Sequence, residues 1–221
     1  VVMCTQPIAA QVVPDNTLPA AERSQVSGNP NFQIDGGARR GGNLFHSFQS
    51  FSVPTGGSAF FNNAADVQNI LTRVTGGSIS NIDGVIRDQG TANLFLLNPN
   101  GIVFGAGAQL NIGGSFVAST ANSINFADNF QYNASNPQTT PLLTVSVPIG
   151  LQMGSNPGRI AVQGNGYNIS GTAPFLTPLI RGNASTGLKV PPGQTLALIG
   201  GDIDIQGGVL QAEQGRIELG S

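Results

Sequence analysis

The amino-acid sequence predicts an all-β protein, and within that class a right-handed parallel β-helix, or solenoid, with an N-terminal cap and extra-helical β-hairpins. The composition points this way first, because 9% of the residues are charged, against about 25% in an average soluble domain, and 31 are glycine. The surface must therefore take its polarity from Asn, Gln, Ser and Thr, which suit turns and solvent-facing strand positions better than helix interiors. In addition, short apolar runs alternate with Gly and Asn, and no stretch of a dozen residues keeps a 3.6-residue apolar period.

The predicted strands are short apolar runs bounded by turn residues. Their connections are too short for helical crossovers and too irregular for a series of hairpins. We therefore expect the chain to coil, with each strand pairing with the equivalent strand of the next coil. The strands predicted in this way span residues 58–61, 70–74, 78–80, 84–87, 93–97, 102–104, 109–112 and 115–118.

Weak internal repetition supports a solenoid. Gly-Gly pairs begin at positions 76, 113, 200 and 207, and a strand-like apolar run follows each of them within a few residues. In the C-terminal repeat, strand alternation places Ile203 and Ile205 inside and Asp202 and Asp204 outside. Each coil of a solenoid covers the open edge of its neighbour, so a terminal coil needs a cap.

We assign the cap to residues 13–50, which supply large apolar side chains that can close one end of the helix. The other end stops in the style of the repeat, and we expect the natural protein to continue as a fibre. Segments 129–151 and 167–192 break the repeat and are expected to protrude, either as tolerated insertions or as a recognition surface. Strand-like pieces lie within them at 142–147 and 175–180. The side chains assigned to the cap are Phe32, Ile34, Leu44, Phe45, Phe48 and Phe51.

Residues 1–10 are apolar, end in small residues and precede a polar segment, which is typical of the tail of a secretory signal peptide. We expect cleavage after Ala10. Cys4, the single cysteine, would leave with this segment, so a single domain of residues 11–221 would remain without a disulfide. No run reaches the roughly 20 apolar residues that cross a bilayer as a helix, so stable membrane insertion is not expected.

The residue types that enzymes use are scarce, and we expect the chain not to be an enzyme. His46 is the only histidine and lies in a Phe-rich segment, which favours a core or cap role. Zinc needs several His or Cys ligands, so no metal and no cofactor are expected. For Asp202 and Asp204, a solvated face with a cross-coil ion pair to Arg216 is the favoured interpretation, and a calcium or catalytic site is the alternative.

Other charged residues have structural explanations. Asp83 and Asp88 lie beside glycines at the spacing of turn-capping residues. A net charge of −2 and a single lysine leave no basic stripe for phosphates, so nucleic-acid binding is not expected.

The most informative segment is 98–102, Asn-Pro-Asn-Gly-Ile, which separates two apolar runs. Pro99 presets φ at the first corner of a turn, Asn100 tolerates the second, and Gly101 accepts φ values closed to other residues. A sharp turn between two buried strands is therefore predicted.

Further segments accompany this turn: 41–48 (GGNLFHSF), 73–77 (RVTGG), 82–84 (IDG), 92–96 (ANLFL), 108–116 (AQLNIGGSF) and 193–198 (GQTLAL). Together they resemble the amino-terminal secretion domain of two-partner secretion exoproteins, the filamentous haemagglutinin family, and in style its cyanobacterial branch. The resemblance covers nearly the whole chain. Many members carry a second, upstream NPNL turn, whereas the comparable region here reads Phe60-Phe61-Asn62-Asn63-Ala64.

The resemblance implies a non-catalytic secretion domain. Such a domain crosses the inner membrane by Sec export and is recognised, unfolded or extended, by the POTRA domains of a dedicated outer-membrane TpsB-type barrel. It then nucleates β-helix folding outside the cell, and we expect it to be a monomer. The implied secretion motif is Asn98, Pro99, Asn100, Gly101 and Ile102. The apolar strands expected to pair with the transporter contain Leu94, Phe95, Leu96, Val103 and Phe104.

Two alternatives from other functional classes stay open. One is an adhesive surface module that binds glycans or a host surface through polar ladders or through the protruding segments. The other is a β-helical polysaccharide lyase or hydrolase, against which the lack of an acid cluster speaks.

Overall fold

The computed structural model describes residues 11–138, 143–166, 169–170, 180–181 and 187–221. In these residues the chain forms β-strands and one 3-10 turn, η1 (Ala20–Glu22), and no α-helix. The first twelve strands are β1 (Val12–Pro14), β2 (Ser24–Ser27), β3 (Asn31–Gly36), β4 (Ala38–Arg40), β5 (Asn43–Phe51), β6 (Ser58–Phe61), β7 (Asn69–Val74), β8 (Ser80–Ile82), β9 (Val85–Arg87), β10 (Asn93–Leu97), β11 (Ile102–Phe104) and β12 (Gln109–Asn111). The other twelve are β13 (Phe116–Ser119), β14 (Ser123–Phe126), β15 (Gln131–Asn133), β16 (Pro148–Gln152), β17 (Ile160–Gln163), β18 (Ile169–Ser170), β19 (Ile180–Arg181), β20 (Leu188–Val190), β21 (Thr195–Ile199), β22 (Ile203–Gln206), β23 (Leu210–Ala212) and β24 (Arg216–Gly220).

Parallel strands stack into three sheets. Sheet A runs β5-β7-β10-β13-β21-β24, sheet B runs β3-β6-β9-β12, and sheet C runs β8-β11-β17-β22. The chain passes from A to C to B and back to A, as β7, β8, β9 and β10 do in succession. In the later coils the parallel pair β20-β23 continues the line of sheet B. This repeated circuit is a parallel β-helix, which confirms the predicted fold class.

An amide ladder aligns successive coils at the start of sheet A. Asn69 donates from Nδ2 to Oδ1 of Asn43 at 3.0 Å, and Asn93 donates to Oδ1 of Asn69 at 3.1 Å. The Oδ1 of Asn93 then accepts the backbone N–H of Ser115 at 3.0 Å. These partners are 26, 24 and 22 residues apart, so each of these coils contains between 22 and 26 residues.

The inner core is formed by the side chains that point into the helix and stack from coil to coil. On sheet A, Ile70, Leu94, Phe116 and Leu196 lie in register one above another, and each is at most 1% exposed. Burying each such side chain stabilises the fold by roughly 1.5–3 kcal/mol. The inner core is therefore continuous along the helix axis.

Antiparallel strands cover the N-terminal end. Strand β2 pairs with β3 on sheet B, while β1 and β4 pair with β5 on sheet A. They satisfy backbone groups that the first coil would otherwise leave open. Within the region assigned to the cap, β3 and β5 themselves belong to the first coil, because they pair in parallel with β6 and β7.

A second layer lies outside sheet A. Strands β15, β14 and β16 form an antiparallel sheet, here called the outer sheet, whose apolar side chains cover the outward face of sheet A. Phe45, Leu71 and Leu97 of sheet A pack in this outer core with Ile124 and Tyr132. Phe45, which the sequence assigned to closing the helix end, therefore packs on the opposite side of its strand from Phe48.

Several predicted boundaries need correction. The strand predicted at 78–80 lies at 80–82, because Ser80 and Ile82 point inward while the carbonyl of Ser78 accepts the Asn98 amide at a corner. Residues 188–190, placed in the second protruding segment, form β20, whose Leu188 and Val190 belong to the inner core.

The excursion outside the solenoid starts before residue 129, since β14 is already part of the outer sheet. Residues 143–147 contain no strand, because the carbonyls of Thr144 and Ser146 accept the Asn43 amide instead of a strand partner. The predicted strand residues 175–179, the whole of 1–10 with Cys4 and Ala10, and residue 142 lie outside the described residues.

Candidate secretion-motif site at the Asn98–Ile102 turn

Residues 98–101 form the β-turn that connects β10 with β11. The backbone N–H of Gly101 donates to the carbonyl oxygen of Asn98 at 3.1 Å, which places Pro99 and Asn100 at the two central positions. Asn100 does not have a positive φ, which a type II turn would require at its position. Asn, Pro and Gly at the first, second and fourth positions match the residue preferences of a type I turn.

The side chain of Asn98 is fully buried and completely used inside the corner. Its Nδ2 donates to the Ser78 carbonyl at 3.0 Å and to the Ser80 hydroxyl at 2.9 Å, while its Oδ1 accepts the backbone N–H of Asn100 at 3.0 Å. Each buried partner left unsatisfied would cost about 1–3 kcal/mol. Asn98 therefore joins its own turn to the corner of the preceding coil.

Asn100 makes a second connection to the preceding coil. Its Nδ2 donates to the Gly76 carbonyl at 2.7 Å and to Oδ1 of Asn98 at 3.1 Å. Although Asn100 is exposed, its amide N–H groups are thus engaged within the domain.

The remaining motif residues face the following coil. Gly101 has φ of +126°, and a Cβ there would lie 3.1 Å from the carbonyl oxygen of Arg159. The Pro99 carbonyl accepts the N–H of Gly158 at 2.9 Å, and the N–H of Ile102 donates to the Arg159 carbonyl at 3.1 Å. The Ile102 side chain lies in the inner core.

The predicted recognition strands lie in the middle of their sheets. Strand β10 pairs with β7 and β13, and β11 pairs with β8 and β17, so neither has a free edge in the folded domain. Leu94, Leu96 and Phe104 point into the inner core, whereas Phe95 and Val103 point outward and are half-buried. Their backbone groups become available to a partner only when the domain is unfolded.

The sequence analysis did not identify Thr120, Gly158 and Arg159, which the fold brings to the same corner. Gly158 and Arg159 bond directly to the turn, and the Thr120 hydroxyl donates to the Gly158 carbonyl at 2.7 Å. The segment Asn156-Pro157-Gly158 is a shortened version of the Asn98–Gly101 sequence, and this similarity is the signal that could have identified it.

His46 is a buried structural residue. It lies in the inner face of β5, with Nδ1 2.9 Å from the Ser24 hydroxyl and its ring stacked on that of Phe48, while Nε2 has no partner. Desolvation lowers the pKa of His46 to about 3, and the charge of Asp35 opposes this shift. A neutral, inaccessible imidazole cannot serve an external substrate as a base.

Asp83 and Asp88 act as turn caps, as the sequence analysis expected. Asp83 Oδ1 accepts the Gly107 N–H at 2.7 Å, and Asp88 Oδ1 accepts the Gly113 N–H at 3.0 Å. Burial raises the pKa of Asp88 to about 6, and the hydrogen bond from Gly113 opposes this rise.

The predicted ion pair between Arg216 and the Asp202–Asp204 face is wrong. Arg216 bonds Glu218 at 3.0 Å on its own strand, and Asp204 accepts the side-chain amide of Gln206 at 2.8 Å. In the part of the chain that the structure describes, no three His, Cys, Asp or Glu residues come together as a metal site.

A family model for the TPS secretion domain matches residues 10–221. Among solved structures, a crystal structure of the filamentous hemagglutinin secretion domain is similar with a TM-score of 0.43 and 16% sequence identity. The match covers 95% of this chain and 99% of that chain. Comparison with curated protein sequences gave no significant match.

The chain therefore belongs to the TPS, or two-partner secretion, domain family. Membership defines it as the secretion domain of an exoprotein that is exported across the outer membrane with a TpsB-type transporter as partner. Within the described ranges, no helix is long and apolar enough to span a bilayer.

Proposed function

We propose that this domain is recognised in its unfolded state by the periplasmic POTRA domains of its transporter, and that it nucleates β-helix folding outside the cell. The observation that carries the proposal is the position of β10 and β11, whose two edges are both occupied in the folded domain. An extended apolar strand can add to a receptor's sheet through backbone hydrogen bonds. Recognition by these strands therefore requires the chain before coiling, and folding then withdraws them from the transporter.

In this proposal the Asn98–Ile102 motif acts after recognition. Asn98 is 0% exposed, and the amide groups of Asn98 and Asn100 bond to residues of their own domain. The motif holds the coil that contains β10 to the preceding coil, which contains β7, at one corner. It therefore supports the folding nucleus on which later coils stack. Loss of the motif then lowers export because folding outside the cell no longer drives the chain forward.

The test is calorimetric titration of the matched POTRA domains with the domain unfolded in mild denaturant and with the folded domain. We expect binding by the unfolded chain and no binding by the folded domain. Equal binding by both states, or binding by the folded domain alone, would overturn the recognition of an unfolded strand.

A matched pair of substitutions tests the motif. Asn100→Ala removes the bond to Gly76 and should lower export several-fold while leaving the unfolded chain's affinity for the POTRA domains unchanged. Asn81→Ala is the control, because Asn81 is an exposed asparagine on neighbouring β8. Equal export of both variants at equal expression would argue against the motif's role.

A groove on the outside of sheet A favours a second function, glycan binding by an adhesive module. The groove has a volume of about 770 Å³ and is lined by Gln68, Asn69, Thr91, Asn93 and Phe95, among others. Amide and hydroxyl groups can bond sugar hydroxyls, and a half-buried aromatic ring can cover an apolar sugar face. A glycan array with the folded domain and with a Phe95→Ser variant tests this function. We expect the wild-type domain to bind glycans and the variant not to bind them.

A further inference from the structure

The outer sheet belongs to an excursion, in which the chain leaves the solenoid and re-enters it at one point, here called the neck. The chain departs after β13 at Thr120 and returns to β17 at Gly158, 38 residues later. The Thr120 hydroxyl donates to the Gly158 carbonyl at 2.7 Å, and Thr120 is fully buried. This bond closes the neck, so the inserted residues leave the course of the solenoid unbroken.

The returning segment is seated on the Asn98–Gly101 turn. The Gly158 N–H donates to the Pro99 carbonyl at 2.9 Å. A Cβ on Gly158 would lie 2.5 Å from the carbonyl carbon of Asn100 and 2.5 Å from the nitrogen of Gly101, a distance at which the backbone must shift. Only glycine can therefore return this close to the turn.

The next coil is built directly on the neck. The Gly201 N–H lies 3.0 Å from the Gly158 carbonyl and 3.3 Å from the Thr120 hydroxyl, and it donates to both. A Cβ on Gly201 would meet the Pro157 carbonyl oxygen at 2.4 Å. The corner column thus runs through four coils, from Gly76 through Asn100 and Gly158 to Gly201.

We infer that Gly158 and Thr120 are positioning residues of the secretion motif, and that the Asn98–Gly101 turn is the docking site for the chain where it returns from the excursion. This inference rests on the proposed function for its link to export, but the docking itself is a property of the folded domain. The excursion spans the 38 positions from Thr120 to Gly158, and it must close before the later coils can stack. The motif matters because it gives this loop a defined return point.

The first test measures amide hydrogen exchange on Gly158→Ala, Asn100→Ala and the double variant. We expect protection in β17, β21 and β22 to fall about tenfold, an effect typical of local overpacking, while β5 and β7 keep theirs. The double variant should lose no more protection than the worse single variant, because both substitutions displace the same turn, one through the lost bond to Gly76 and the other through a clash with the Asn100 backbone. Gly77→Ala is the matched control, since a Cβ there meets nothing within 4 Å.

A second pair of variants keeps the inference testable if Gly158→Ala fails to fold. Thr120→Val removes the hydroxyl from the neck at nearly constant volume, and Thr120→Ser retains it. Thr120→Val should show the same selective loss of protection and lower export several-fold. Thr120→Ser, which keeps the hydroxyl, should have the protection and the export of wild type.

The outcomes separate the inference from the proposed function. A uniform loss of protection in all coils, additive effects in the double variant, or weaker POTRA binding by unfolded Gly158→Ala would each overturn the positioning role. If unfolded wild-type chain fails to bind the POTRA domains, the proposed recognition fails, and the exchange pattern still decides whether the turn receives the returning chain.

Discussion

The two faces of sheet A bury their side chains in different ways. The inner face packs against the same chain coil by coil, with Ile70, Leu94 and Phe116 in register. The outer face is covered by a separate antiparallel sheet, and its interior combines aromatic rings with a buried guanidinium. One set of strands therefore supports a repetitive apolar core on one side, and on the other a single core that also contains a buried charged side chain.

Arg73 shows how much the outer core depends on long-range partners. Its guanidinium donates to the Asn133 carbonyl at 2.7 Å, to the Thr17 hydroxyl at 2.8 Å and to the Ser47 hydroxyl at 2.9 Å. It also lies 4.3 Å from the ring centroid of Tyr132. These groups come from the N-terminal segment, the first coil and the outer sheet, so one side chain joins three parts of the chain.

The largest expected effect breaks the inner core. Phe116→Ala should lower the free energy of unfolding by about 3–5 kcal/mol, because it removes a fully buried ring from the middle of the stack. Denaturant titration followed by circular dichroism measures this change. Phe126→Ala in the outer core is the comparison, and there we expect hydrogen-exchange protection to fall in β14–β16 before it falls in β10.

If Phe126→Ala removed protection equally from β10 and from the outer sheet, the two cores would be one cooperative unit. The distinction between them would then be geometric and not energetic.

The next effect is a pH dependence of the inner core. Because the folded-state pKa of His46 is about 3, the unfolded state alone takes up the proton as pH falls below about 6.5. The contribution of His46 to the free energy of unfolding is fully present above pH 6.5 and declines towards pH 3. At pH 5 about 2 kcal/mol of it is lost.

The measurement compares the free energies of unfolding of wild type and His46→Asn at pH 7.5 and pH 5. The variant should lose about 2 kcal/mol less than wild type over this interval. The raised pKa of Asp88 acts in the opposite direction in both proteins and cancels in the comparison. Equal losses would mean that His46 is solvated in the folded state.

The smallest effect concerns the attachment of the outer sheet. The Tyr132 hydroxyl donates to the carbonyl of His46 at 2.8 Å, and Tyr132→Phe should cost about 1 kcal/mol while keeping the ring contacts. Thermal unfolding of the two proteins side by side provides the measurement. A variant as stable as wild type would show that the aromatic contacts alone, such as the 5.0 Å edge contact with Phe45, hold the outer sheet.

Features that depend on neighbouring residues could be predicted from the sequence. The strand boundaries 93–97 and 102–104 were predicted correctly because an apolar run and the turn that bounds it are encoded within a few residues. The Asn98–Gly101 turn followed from its own four residues, since the hydrogen bond that defines it joins the first to the fourth. The ion pair expected between Arg216 and Asp204 is absent because β24 belongs to sheet A and β22 to sheet C, an assignment that the local sequence does not determine.

The sequence by itself determined the all-β class, the coiling pattern and the sharp turn at 98–101, because composition, alternation and turn chemistry are local properties. Only the tertiary structure decided that Phe45 and Tyr132 share a second core, and that Gly158 returns to the turn. Alternation assigns residues to two faces of a strand, but it does not say what covers each face. That depends on contacts between residues far apart in the chain, such as the 86 residues that separate Tyr132 from His46.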